Sequence, residues 1–218
     1  MKQKLYVNLN ENELKVLCNA RDENGLKSYR EAIFSACDSE LVRRISYIIS
    51  TEKELRKIAV NLRQIVRRFE ASDIPCDNLY TVSNILDSTI DLIANETSCL
   101  HVLDFINDSE RKEIIIRMSS DEKETLSEIK RVLRFKNYRT LILTLCIYTS
   151  RQIVKPDISF EYPTLKDFGL TMNEIAKALN SGYEIDSKNF NTFIRDFAQI
   201  LVNIADKFNG DGEDVAEN

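Results

Sequence analysis

Two short segments of this chain place chemically distinct side chains at every second position: Lys4, Tyr6 and Asn8 in the first, Glu113, Ile115 and Arg117 in the second. A period of two is the spacing of one face of a β-strand. An amide and a guanidinium on such a face can each make paired hydrogen bonds to a planar partner, and a lysine adds a point charge. That is the chemistry of recognition. The groups that bond-making chemistry would use are sparse. His101 is the only histidine and has no paired nucleophile motif, while Cys18, Cys37, Cys76, Cys99 and Cys146 are odd in number and form no C-x-x-C pair. No disulfide framework or zinc site is expected, and the cysteines read as buried reduced thiols. No P-loop, G-x-G-x-x-G or H-E-x-x-H occurs. The chain therefore reads as a non-enzyme with no catalytic residue, metal or cofactor.

The elements that would hold these residues occur twice. Leu5, Val7 and Leu9 alternate with the first polar set, and Ile114, Ile116 and Met118 with the second, 109 residues on. Asn10 stands three residues before Glu13, and Ser119 three before Glu122, which is the spacing of a helix capping box. A first helix carrying Leu14, Val16, Leu17 and Ala20, ended at Gly25, matches one carrying Leu126, Ile129, Val132 and Leu133, where Arg134 replaces the glycine. A second helix opens at Ser28 with Tyr29, Ala32, Ile33, Ala36 and Cys37, and its counterpart at Asn137 with Tyr138, Leu141, Ile142, Leu145 and Cys146. At the same offset Glu13/Glu122, Leu17/Leu126, Lys27/Lys136, Tyr29/Tyr138, Arg30/Arg139, Ile33/Ile142 and Cys37/Cys146 are identical. The pattern is an internal duplication of a strand–helix–helix unit.

A lone seven-residue strand cannot bury its apolar face or satisfy its edge, so each unit needs the other's strand. Antiparallel pairing within one chain makes a ribbon-helix-helix pseudo-dimer, in a protein that is mostly α with a short β-ribbon. Further association of whole chains stays open. The divisions expected are residues 1–45 and 111–154 for the two units, 46–110 and 155–208 for helical extensions, and 209–218 for an acidic disordered tail. The low content of glycine and proline, five and three in 218 residues, agrees with a helical chain. No apolar run is long enough for a membrane helix, and the polar start has no signal core behind it, so a cytoplasmic protein without a membrane partner is expected.

The net charge of −5 is unevenly spread. Residues 1–75 carry 14 Lys and Arg against 11 acids, residues 111–154 carry 10 against 5, and residues 76–110 carry seven acids and no base. The repeated units are basic and the acid lies between and after them.

Each unit is followed by a further repeated helix. The first contains Leu55, Ile58, Asn61, Leu62, Gln64, Ile65 and Arg67; the second contains Leu165, Gly169, Asn173, Ile175, Ala176, Leu179 and Asn180. Amphipathic helices with Leu79, Val82, Ile85, Leu86, Ile90 and Ile93, and with Phe190, Phe193, Ile194, Phe197, Leu201 and Ile204, follow them. Strand, helix, helix and then a motif of the form L-x-x-I-G-x-N-L-N-Q-I-A-R-x-L-N resembles the plasmid mobilisation accessory proteins of the MobC type. The first copy departs at Ala59, Arg63 and Val66, the second at Thr171, Met172 and Glu174. The resemblance implies a relaxosome factor in conjugation that binds double-stranded DNA at the transfer origin and assists a relaxase. Read from its residues alone, the same helix is a core stripe of Ile58, Leu62, Ile65 and Phe69 under a solvated face of Lys57, Arg63, Arg67 and Arg68.

A two-stranded ribbon fits the DNA major groove, where Lys4, Tyr6 and Asn8 would meet base edges beside Glu113, Ile115 and Arg117, with Lys2 and Gln3 extending the first strand. Phosphate contacts would fall to Lys27 with Ser28 and Lys136 with Asn137 at the starts of the second helices. Tyr29 and Tyr138 are expected to pack inward; Arg30 and Arg139 suit either packing or phosphate. Two other readings stay open: a ribbon-helix-helix transcriptional repressor, and a helical protein-interaction module that does not bind DNA.

Overall fold

Alternation and capping decide the elements nearest the chain start. In the computed structural model, which describes residues 3–98, 111–150 and 156–210, strand β1 spans Gln3–Leu9 and helix α1 spans Glu11–Glu23. Helix α2, Tyr29–Ser35, is followed by the long α3, Ser39–Ala71, and by α4, Asp77–Ser98. The order then restarts with β2, Lys112–Met118, α5, Ser120–Val132, and α6, Tyr138–Ser150, before α7, Glu161–Asn180, and α8, Ser187–Asn209. The protein is mostly helical with one two-stranded antiparallel sheet. His101, Cys99, Lys2 and residues 211–218 of the expected tail lie outside the described residues.

The residues divide into two compact units, one of 1–46 with 97–155 and one of 47–96 with 156–218. In the first, β1 pairs with β2 in a register that sets Tyr6 opposite Ile115, Lys4 opposite Arg117 and Asn8 opposite Glu113. Val7, Leu9, Ile116 and Met118 are buried, as are Leu17, Ala20, Ile33, Leu126, Leu141, Ile142 and Leu145 of the same unit. Each such aliphatic side chain contributes about 1.5–3 kcal/mol on leaving water, enough together to hold a ribbon that would not persist alone.

Both capping boxes form. Asn10 Oδ1 accepts from the Glu13 N–H at 2.9 Å while Glu13 accepts from the Asn10 N–H at 2.9 Å. Ser119 and Glu122 repeat this at 3.2 and 2.7 Å. The same two carboxylates also cross between the copies: Arg139 donates through Nε to Glu13 at 3.1 Å and Arg30 through Nε to Glu122 at 3.2 Å, each guanidinium adding a second bond through Nη2. Residues 13 and 122, and 30 and 139, are the 109-residue equivalents, so the two ion pairs are reciprocal. The Glu13 side chain is fully buried and Arg139 is 20% exposed, whereas Arg30 and Glu122 are 49% and 21% exposed.

Other details recur at the same spacing. Tyr29 Oη lies 3.3 Å from Cys18 Sγ and Tyr138 Oη 2.8 Å from Ser127 Oγ, while Arg21 lies over the Tyr29 ring and Lys130 over the Tyr138 ring. The tyrosines, expected to pack in the core, are both only half-buried, held by these contacts to the first helix of their own copy, and Tyr138 lines an open groove beside the ribbon. Gly25 and Arg134 both take positive φ, 62° and 57°. The turn chemistry survives the loss of glycine, with the Phe135 N–H bonding Lys130 O at 3.0 Å as the Leu26 N–H bonds Arg21 O at 2.9 Å.

Two further expectations need correction. The first copy's second helix stops at Ser35 instead of running through Cys37, because Asp38 caps a new helix by accepting from the Leu41 N–H at 2.9 Å. Ile147 stands at the equivalent place and lets α6 run on. Val132 is 42% exposed and does not join the core, while Leu133, expected beside it, does.

In the second unit Leu55, Ile58, Leu62, Ile65 and Phe69 of α3 are buried with Leu165, Met172 and Ala176 of α7 and the apolar stripes of α4 and α8. Phe69 packs against Phe190 with the rings tilted by 57° and their centroids 5.3 Å apart. Gly169 is the close-approach point, since a Cβ there would lie 2.6 Å from Glu54 Oε1 and 3.4 Å from Ile58 Cγ1. The apolar residues of the repeated motif are core residues, except Ile175 and Leu179, which are half-buried against it. Lys57, Arg63 and Arg68 form the solvated face, paired with Glu54, Asp87 and Asn180.

Two stability tests follow from this geometry. Glu13→Ala strands a partly buried guanidinium and leaves the buried Asn10 N–H without its acceptor, and is expected to cost about 3 kcal/mol or more; Glu122→Ala, at the more exposed pair, is expected to cost only about 1 kcal/mol. Urea denaturation of both variants checks the difference, and equal losses would mean the two ion pairs do not differ in burial. Arg134→Gly is expected to stabilise by about 1 kcal/mol and Gly25→Ala to destabilise by a similar amount. Nothing lies within 4 Å of a Cβ built on Gly25, so the second effect is conformational alone. Unchanged denaturation midpoints would argue against left-handed turns.

Candidate nucleic-acid interface

The pleat that buries Val7 and Ile116 turns the opposite set of side chains outward. Lys4, Tyr6, Asn8, Glu113, Ile115 and Arg117 are all exposed, and they form one six-residue face of the ribbon. Its centre is apolar, with Tyr6 54% and Ile115 47% exposed in direct opposition. One end sets Lys4 opposite Arg117, two cations at facing positions, an arrangement that costs the ribbon some tenths of a kcal/mol up to about 1 kcal/mol. The other end sets Asn8 opposite Glu113. Gln3 does not extend this face: it is half-buried and its side-chain oxygen accepts from Lys123 Nζ at 2.9 Å.

Beside the ribbon runs a groove of about 510 Å³ that joins the strand residues Tyr6 and Asn8 to Lys136 and Asn137 at the start of α6. Asn137 caps that helix, its Oδ1 accepting from the Thr140 N–H at 2.8 Å. Arg111 and Lys130 line the same groove. Neither was picked out from sequence. The repeat carried a signal for both, since Lys130 is the equivalent of Arg21 and Arg111 of Lys2, a residue already placed beside the first strand.

The first copy arranges its corresponding residues differently. Ser28 caps α2, with its Oγ accepting from the Glu31 N–H at 3.2 Å, and the Lys27 N–H donates to Glu31 Oε2 at 2.8 Å. Arg21 is held by Asp22 through bonds of 2.7 and 3.1 Å, which lower the Asp22 carboxyl below its ordinary range. Arg30 and Arg139 serve the ion pairs across the copies, Arg30 with its side chain 49% exposed and Arg139 also lining the groove. The Glu122 carboxyl is held below its usual range, first by the Ser119 N–H and then by Arg30.

Cys37 and Cys146 have thiols pushed up to about 12 by burial, which suppresses the thiolate. The described cysteines are all free. Among the described residues no group of three or more His, Cys, Asp and Glu is placed to hold a metal ion, and no helix is long and apolar enough to cross a membrane.

Set against known proteins, the chain matches no family model, no curated protein and no solved structure.

Proposed function

We propose that this protein binds double-stranded DNA with sequence preference, as a single-chain ribbon-helix-helix pseudo-dimer with helical extensions. The observation that carries the reading is the exposed ribbon face, where the register sets Lys4 opposite Arg117, two cations on one surface. An anionic partner would offset their repulsion, and the adjoining groove with Lys136, Arg111 and Lys130 supplies further cations for phosphate. A ribbon carrying Asn8 and Arg117 can read adenine and guanine edges in the major groove, and Ile115 can meet a thymine methyl. The protein has no catalytic role in this reading. It acts in the cytoplasm as an accessory factor at a plasmid transfer origin, with the extensions contacting a relaxase; this setting rests on the repeated motif's resemblance to the MobC type.

A helical protein-interaction module is favoured by the net charge of −5, which weakens attraction to any polyanion. A salt-dependent mobility shift with duplex DNA separates the two, since the module would give no shift at low salt.

Arg117→Ala and Asn8→Ala are expected to reduce discrimination between a selected site and random duplex by about 1–3 kcal/mol each. Lys136→Ala should weaken both duplexes alike and lower the salt slope by about one. Titration of the three variants on both duplexes checks this division; equal losses everywhere would remove the strand residues from base contact. Because Lys4, Tyr6 and Asn8 face Arg117, Ile115 and Glu113 across the ribbon, the two halves present different chemistry. Selection from random DNA should therefore return a non-palindromic site. A perfect palindrome bound by two chains would mean that identical units pair between molecules.

A further inference from the structure

The three outward rungs of the ribbon differ in kind. Lys4 with Arg117, and Asn8 with Glu113, carry a charged or hydrogen-bonding group on every side chain, whereas the middle rung pairs Tyr6 with Ile115. Both middle side chains are open to solvent, Tyr6 at 54% and Ile115 at 47% exposed, and their direct opposition joins them into one apolar patch across the two strands. Around that patch the surface is cationic: Lys4 and Arg117 share its face against one acid, Glu113, and Arg111, Lys130 and Lys136 line the groove beside it. An apolar patch framed by cations is complementary to a polyanion that carries apolar groups of its own. In the DNA major groove such a group is the methyl on C5 of a pyrimidine.

We propose that the Tyr6–Ile115 patch reads C5 methyl groups at the middle of the bound site, so that this part of the face selects a methyl-bearing pyrimidine, thymine or 5-methylcytosine. This rests on the DNA-binding reading and deepens it by naming what the apolar rung recognises. Ile115 has no donor or acceptor, so a guanine O6 or an unmethylated cytosine amino group set against it leaves water without gaining a partner, which costs binding. A methyl group in the same place gives up only its contact with water and gains packing. Tyr6 adds its ring from the other strand. An aromatic and a β-branched residue facing each other also steady a ribbon by themselves. That role alone would leave the methyl groups of the DNA without effect.

The test uses the whole chain and the duplex that selection from random DNA returns. Each thymine of that site is replaced in turn by uracil, which removes the C5 methyl and keeps every hydrogen-bonding group. Wild-type affinity is expected to fall about four-fold for each methyl met by the patch, the worth of one buried methyl group. Rungs two residues apart are spaced by about 6.8 Å, two base-pair rises, so the loss should be confined to about two base pairs at the middle of the site. Cytosine placed there should weaken binding, and 5-methylcytosine should recover about four-fold. Ile115→Ser is expected to lose the preference for thymine over uracil, while Ile115→Val and Tyr6→Phe keep it. Circular dichroism establishes that each variant is folded; if the serine variant is not, the uracil and 5-methylcytosine duplexes with the wild-type chain carry the test. Uracil duplexes bound as tightly as thymine ones, selected duplexes with no thymine at their middle or no common site, or an undiminished uracil penalty in folded Ile115→Ser, would overturn the inference while leaving DNA binding intact. Absence of binding by the wild-type chain to any duplex at low salt would instead overturn the DNA-binding reading, and this inference with it.

Discussion

The carboxylates of Glu13 and Glu122 are the constraint on which the ribbon depends. Each accepts from the backbone N–H at its own strand-to-helix corner and from an arginine of the opposite copy. One side chain therefore fixes both the angle at which a strand enters its helix and the position of the other copy's second helix against it. A two-stranded sheet in isolation is marginal. Here its ends are bound to helices that are themselves bound across the repeat, and the apolar face is closed by the same helices. The burial of Glu13 makes its pair the costlier one to break, and places the main electrostatic lock on one side of a nearly symmetric frame.

That frame decides what the exposed face can be. With Val7, Leu9, Ile116 and Met118 committed to the core, a one-residue slip of β1 would put Val7 and Leu9 in water and send Tyr6 and Asn8 inward, and a slip of β2 would do the same to Ile116 and Met118 against Ile115 and Arg117. The register is therefore as firmly set as the core. The opposition of Lys4 and Arg117 follows from it and cannot relax by sliding.

Much of this was legible in sequence because it rests on local rules. Alternation of Leu5, Val7 and Leu9 with polar neighbours, and the three-residue spacing in both capping boxes, are patterns that backbone geometry enforces within a few residues. The partner of Arg30 was not legible, since residues 30 and 122 meet only through the fold and a guanidinium suits phosphate as well as carboxylate. The break before α3 had a local signal, Asp38 ahead of an apolar run, but an otherwise continuous helical stripe through Ala36 and Cys37 outweighed it. Arg134 shows the reverse case: its sequence argues against a left-handed turn, yet the packing of the preceding and following helices imposes one, with φ of 57°. Arg111 and Lys130 were missed because a groove is a property of surfaces brought together, not of spacing.

The pattern of divergence between the copies separates frame from face. Glu13 and Glu122, Tyr29 and Tyr138, and Arg30 and Arg139 are identical and all bond within the frame. The outward positions of the ribbon differ at all three places: Lys4 against Glu113, Tyr6 against Ile115, Asn8 against Arg117. Two identical chains paired about a twofold must present each surface residue twice, so a change useful on one side is forced on the other. Under the proposed pseudo-dimer reading, joining the halves in one polypeptide removes that coupling. The frame keeps its paired residues because each ion pair needs both members, while each half of the face is free to change alone. The groove beside the ribbon shows the same asymmetry, since it is lined by Lys130 and Lys136, while in the other half Arg21, the equivalent of Lys130, is paired with Asp22.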